Sequence, residues 1–172
     1  SGKDERIKLT HTDLAKRLKS AIDDKEVSGK FQEHVLFRDI NFDGFRHVVV
    51  IGLGEKYDAE TIRQVGATVH HAIKATKAKD ATVHFDGITA GKKDAVQFVQ
   101  ALTEGLLLTD YNFDELKSKK KDAKETEATV KLLTKSATEA GFKKALHEGV
   151  ILAESVSFSR RLGDMPGNLM TP

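Results

Sequence analysis

Several places in the sequence carry residue types that could do chemistry. The first is His147-Glu148, the opening of a zinc-protease helix pattern. That pattern needs a second histidine one turn later, so that both rings face one metal. The position is Ile151, and the pattern fails. His70-His71 is a second pair. Adjacent residues on a helix point about a quarter turn or more apart, so the two rings cannot easily share one ion. One reads as a half-buried helix histidine and the other as a surface one. His84 lies in an extended segment with no carboxylate pattern beside it.

Two glycine-bearing turns invite a nucleotide. Gly52-Leu53-Gly54 follows an apolar strand, as the dinucleotide fingerprint does, but the third glycine of that fingerprint falls on Tyr57. The stretch Gly87 to Lys93 imitates a phosphate loop. Only three residues separate Gly87 from Gly91, where a true loop has four, and Lys93 stands where a magnesium-binding hydroxyl belongs. Ser157 and Ser159 neighbour Arg160-Arg161, yet no histidine is placed by sequence to activate either hydroxyl. They read as the polar end of a helix, with cations near its negative pole. The basic run Lys117 to Lys121 is followed closely by Asp122, Glu125 and Glu127, and reads as a solvated loop. No catalytic, cofactor-binding or metal-ligating residue emerges from these tests.

The elements that would position such residues follow from periodicity. Thr12 can cap a helix carrying Leu14, Leu18, Ala21 and Ile22, closed by Asp23-Asp24 and Ser28-Gly29. A short strand follows from about His34 to Arg38, then a turn at Asn41 to Gly44. His47 to Ile51 is β-branched and apolar on both faces, the pattern of a strand covered on both sides. Asp58 caps a helix whose stripe is Ile62, Val65, Val69, Ala72, Ile73 and Ala75, with Gly66 allowing close packing. Ala81 to Phe85 is a strand, with a turn at Gly87. A helix from about Lys93 to Leu108 turns Ala95, Val99, Leu102 and Leu106 inward. Tyr111 to Lys124 is a connection. Glu127 to Leu133 alternates as a strand. The last helix, about Thr138 to Arg161, carries Phe142, Leu146, Val150, Ala153 and Val156, and is expected to end at Gly163 and Pro166. Strands alternating with helices imply an α/β layer structure with a largely parallel sheet.

Composition sets the bounds. The 172 residues are 39% hydrophobic and 31% charged, ordinary for a globular domain with a real core. The net charge of +2 gives no whole-chain argument for nucleic acid or an anionic membrane. There is no cysteine, so disulfides and thiolate metal sites within the chain are excluded. The charged start, Ser1 to Arg6, does not read as a signal peptide, and a cytoplasmic location is expected. Both prolines fall in the last seven residues, which reads as a domain boundary.

Three segments in order resemble the leucine aminopeptidase family, also called cytosol aminopeptidases. The first is Val48 to Gly54 with the capped helix from Asp58. The second is Glu104-Gly105 through Tyr111-Asn112-Phe113 to Lys119. The third, the most specific, is His147 to Val150 running through Arg160-Arg161-Leu162 to Pro166-Gly167-Asn168-Leu169-Met170-Thr171-Pro172. Before residue 45 the likeness is looser, since the apolar strand that opens family members is not visible.

The resemblance implies a macro-domain-like three-layer α/β sandwich with a mixed, largely parallel central sheet flanked by helices. Residues 1–164 would be the N-terminal domain, and 165–172 the start of a linker to a C-terminal catalytic domain. The family's enzymes use two divalent metals, zinc, manganese or magnesium, to activate the water that attacks the N-terminal peptide bond. Those ligands, with the catalytic lysine and arginine, lie in the C-terminal domain, where one ligand motif reads Asn-Thr-Asp-Ala-Glu-Gly-Arg. Asp58-Ala59-Glu60, flanked by Tyr57 and Thr61, is a helix start and not that motif. No metal, cofactor or catalytic residue carries over. The implied role is assembly of a hexamer and access to the active site for peptides. Two alternatives stand beside it. One is a macro-type module binding ADP-ribose near Gly52-Leu53-Gly54 and Gly87 to Gly91. The other is DNA binding through Lys117 to Lys121.

Overall fold

The computed structural model of the chain describes residues 12–39, 44–84, 92–116, 127–133 and 138–169. The order is α1 (Thr12–Asp23), β1 (His34–Phe37), β2 (Val48–Ile51), α2 (Ala59–Thr76), β3 (Asp80–His84), α3 (Lys92–Asp110), β4 (Thr129–Leu133) and α4 (Glu139–Asp164). This is the alternation expected from the sequence, and the class is mixed α/β. The elements fall into two compact units, Ser1–Tyr57 and Asp58–Pro172.

In the first unit, α1 buries Leu14, Leu18 and Ala21, with Val27 buried just beyond its end. Ile22, expected on the same stripe, is exposed, because it lies a further step round the helix than Leu18. β1 and β2 pair antiparallel, from His34 opposite Ile51 to Phe37 opposite Val48. All four residues of β2 are half-buried, without the in–out alternation of a one-sided strand. The expected turn falls partly on residues 40–43, outside the described residues. Its last member, Gly44, has a φ of +81°, a conformation that glycine adopts without strain.

The second unit is a three-helix layer with a parallel strand pair. The Asp58 side chain accepts from the Thr61 amide at 2.9 Å, and the Thr61 hydroxyl accepts from the Asp58 amide at 3.3 Å, a reciprocal cap that fixes the start of α2. Ile62, Val65, Gly66 and Val69 are its buried face. Ala75 belonged to the expected stripe but is exposed in the last turn. β3 and β4 run parallel, from Asp80 opposite Thr129 to His84 opposite Leu133, joined through α3 as a parallel pair requires. Val130 and Leu132 are half-buried while their neighbours are exposed, the alternation read from the sequence. Phe85 and the turn at Gly87 lie outside the described residues.

α3 packs against both α2 and α4. It buries Ala95, Phe98, Val99, Ala101 and Leu102, and also the polar Thr103 and Glu104. Glycines set the spacing on both sides. A methyl group at Gly66 would come within 2.7 Å of the Leu102 carbonyl oxygen, and one at Gly105 would overlap the Arg63 carbonyl. On the other side, a methyl group at Gly149 would meet the Gln100 carbonyl and the Thr103 side chain at 2.9 Å.

α4 corrects the expectation most. Its buried residues are Ala145, Gly149 and Ala153. Leu146 and Val156, expected inward, are 36% and 40% exposed. The contact with α3 is close enough to admit only small side chains, so the larger ones sit beside it. The helix also runs through Gly163 to Asp164 and is capped at Met165, whose amide donates to the Arg161 carbonyl at 3.1 Å. Gly163 does not terminate it. Thr138 does cap its start, accepting from the Gly141 amide.

Candidate functional site

The Gly52-Leu53-Gly54 turn is held by the segment that leads into β1. The Gly52 amide donates to the Glu33 carbonyl at 2.7 Å, and the Gly54 amide donates to the Gly29 carbonyl at 3.0 Å. A side chain at Gly52 would collide with the Lys30 carbonyl, and Gly54 has a φ of +78°. These glycines serve close backbone approach. Their amides already have acceptors and do not point free toward a phosphate. The neighbouring amides of Ser28 and Lys30 are likewise taken, by the Glu33 carboxylate at 2.7 and 3.1 Å. The Ser28 amide is the main cause that holds the Glu33 carboxyl below its ordinary range. The second turn considered, Gly87 to Gly91, lies outside the described residues, as does the basic run 117–121.

The histidines are dispersed by their helices. His70 has a side chain only 15% exposed, and its Nε2 lies 3.7 Å from Asp110 at the end of α3. Lys74, one turn on, approaches the same oxygen at 3.3 Å. Burial pulls the His70 pKa down, against the opposing pull of Asp110. The His70 and His71 rings meet edge to face at 5.9 Å, and His71 is exposed. His147 and Ile151 are both exposed on α4. Among the described residues, no group of three or more histidines, cysteines, aspartates or glutamates could hold a metal ion. The described residues thus hold no cluster of that kind, and the two-metal centre that the family resemblance implies is one it places in the C-terminal domain.

The Ser159 hydroxyl is committed within its own helix. Ser159 donates to the Ser155 carbonyl at 3.0 Å, a local helix bond. The arginines beside it do more than was read from the sequence. Arg160 donates to the Leu108 carbonyl at 3.1 Å near the end of α3, so it serves the negative pole of a different helix from its own. Its guanidinium also lies over the Tyr111 ring at 5.9 Å. Arg161 pairs with both carboxylate oxygens of Glu115. The Arg161 guanidinium holds the Glu115 carboxyl below its ordinary range. Tyr111 donates to Asp164 at 2.8 Å. Desolvation, and then that bond, push the phenol pKa up. This cluster ties residues 111–115 to the last turns of α4. It brings together the Tyr111 and Arg160-Arg161 segments, which are far apart in the sequence.

One polar group was missed. Glu104 is 6% exposed and receives Arg63 Nε at 2.7 Å and Gln100 Nε2 at 3.0 Å. The signal was available: a carboxylate within the apolar run Ala101-Leu102 to Gly105-Leu106 demands a cationic partner. Arg63 also pairs with Glu60, and its pKa is raised chiefly by Glu104. The arrangement holds α2 to α3.

Comparison with known proteins gives this architecture its place. The family described as "Cytosol aminopeptidase family, N-terminal domain" matches residues 2–120. A probable cytosol aminopeptidase of Bdellovibrio bacteriovorus is 51% identical over 174 residues, covering 100% of this chain and 34% of that protein. A probable cytosol aminopeptidase of Gloeobacter violaceus is 31% identical over 160 residues, covering 87% of this chain and 31% of that protein. Among solved structures, a tomato leucine aminopeptidase variant superposes with a TM-score of 0.76 at 21% identity, over 94% of this chain and 31% of that one. The bottromycin maturation enzyme BotP, in complex with Mn, gives 0.67 at 24% identity, over 87% and 30%. At such identities the solved structures establish the fold alone. The chain spans about a third of the length of the curated relatives it matches. With the family match over residues 2–120 and the 51% identity over its whole length, the chain belongs to the cytosol aminopeptidase family, as its N-terminal domain.

Proposed function

We propose that this chain is the non-catalytic N-terminal domain of a leucyl aminopeptidase, a hydrolase that releases N-terminal amino acids from peptides with two divalent metals. Residues 1–164 act as one macro-like domain, and 165–172 begin the linker to a C-terminal catalytic domain. In this reading the domain supports a hexameric assembly and shapes access to the active site, in the cytoplasm. The observation that carries it is the 51% identity across the whole chain to a protein of which it makes up only 34%.

Zinc, manganese or magnesium would be held by the remainder of the polypeptide, since the described residues offer no metal cluster. Metals there would polarise the peptide carbonyl and activate water. No step of that chemistry runs through residues described in this chain. Its own residues supply packing: the glycine-spaced helix layer and the cluster at the end of α4. The test compares the 172-residue chain with the full-length protein on a leucine amide substrate with manganese present. Activity in the full-length protein alone is expected. Turnover by the 172-residue chain that survives purification controls would overturn the non-catalytic assignment.

A further inference from the structure

The second half of α4 carries two faces of different kind. One holds Ala153 against α3 and bears Arg160, Arg161 and Asp164, all committed to partners described above or beside them. At about 3.6 residues per turn, the adjoining arc between residues 151 and 163, which runs from the far side of the helix round to the edge of the α3 contact, spans roughly 160° and contains no charged residue. Its large members are Ile151, Leu152, Val156, Phe158 and Leu162. The first four are 46%, 47%, 40% and 57% exposed. A helix facing water on that arc would ordinarily carry charge there.

The polar groups on the arc are already prepared for burial. Ser155 donates its hydroxyl to the Ile151 carbonyl at 2.7 Å, and Ser159 donates to the Ser155 carbonyl at 3.0 Å. Covering them strands no donor, so burial costs little in lost hydrogen bonds to water. Gly163 continues the same row, and a methyl group there would meet nothing. The face is therefore apolar, free of charge and internally satisfied over three turns. A contiguous exposed surface of this kind marks a protein interface.

We propose that this arc of α4 is the surface on which the remainder of the full-length polypeptide packs. The inference rests on the domain reading above. The occupant follows from length and place. The relatives are about threefold longer than this chain, which makes up 34% of the first of them, and the arc lies on the last described helix, next in sequence to the part that only the relatives' length accounts for. A surface without charge suits an apolar domain interface and offers nothing to nucleic acid.

The test is thiol labelling of the full-length protein, read at each site by mass spectrometry. Two single variants are compared, Ser159→Cys on the arc and Glu154→Cys at its charged border. Both residues are exposed in this chain, and both substitutions keep the helix. Labelling rate follows exposure, so the thiol at 159 should react about tenfold or more slowly than the one at 154, with equal rates after denaturation. Equal native rates would overturn the proposal. Protection at 159 that disappears on dilution, together with a falling mass, would assign the face to a second copy and overturn it too. Peptidase activity of the same samples separates the two ideas. Activity with fast labelling at 159 leaves the domain reading standing and removes only the docking face.

Discussion

Two arginine–carboxylate pairs tie helices of the second unit together, and they differ in depth. Arg63 and Glu104 join α2 to α3 with a carboxylate side chain 9% exposed and a guanidinium 34% exposed. Arg161 and Glu115 join α4 to the segment after α3, with both side chains nearly half exposed, 44% and 47%. The chemistry is the same, but water screens both members of the second pair, whereas the Glu104 carboxylate of the first must be satisfied chiefly by protein. The buried pair is therefore a condition of the packing around it. The exposed pair adjusts a surface segment that has other ties.

The strongest way to break the buried pair is through its neighbour. Gly105 lets the Arg63 backbone approach, and a methyl group there would overlap the Arg63 carbonyl. Gly105→Ala should cost about 3 kcal/mol or more in denaturant unfolding. An unchanged midpoint would mean that α2 does not lie this close to α3. Glu104→Ala should come next, at about 2–3 kcal/mol, because Arg63 loses its main partner but keeps Glu60 and some water.

The third contact between the same helices is intermediate. Burial lowers the folded-state pKa of His70 below its ordinary 6.5, so the unfolded chain binds the proton more readily. Its contribution is present above about pH 6.5 and is lost as pH falls toward the folded value. Asp110, Lys74 and His71 are the charged or titratable groups around it. Stability measured from pH 7 down to 5 should fall less steeply in His70→Gln than in the parent chain, and identical slopes would remove the assignment. Smallest of all, Arg161→Ala should lower the melting temperature by roughly a degree or less, and the difference should vanish in high salt. A loss as large as that of Glu104→Ala would erase the distinction between the two pairs.

Much of this architecture was legible beforehand where local chemistry decides. Asp58 and Thr138 cap helices because their oxygens meet amides that the helix leaves unbonded; the cap at Asp58 was visible from residue type and position, and Thr138 was visible as the start of its helix. The alternation in β4 was equally plain. The stripe of α4 was not. Apolar bulk pointed to Leu146 and Val156, while the contact with α3 is made through Ala145, Gly149 and Ala153. Size signals burial only when the partner's distance is known, and that distance is set by Gln100 and Thr103 on another helix. The cluster at Tyr111, Glu115, Arg160, Arg161 and Asp164 was missed for the same reason, since its members are separated by 46 to 53 positions. The family resemblance had picked out segments containing most of these residues. Their contact supplies a physical reason for those segments to occur together.

The central place of α3 also bears on how the second unit assembles in time. Its two helical neighbours precede and follow it in the chain, whereas the parallel pairing of Asp80 with Thr129 must close a long loop. Loop closure is the slow step when contacts are distant in sequence, and helix pairs near in sequence form first. The α2–α3–α4 layer should thus be formed in the folding transition state, with β3 and β4 joining on the downhill side. Mutations at Val99 and Leu102 would then slow folding, while mutations at Val130 and Leu132 would hasten unfolding.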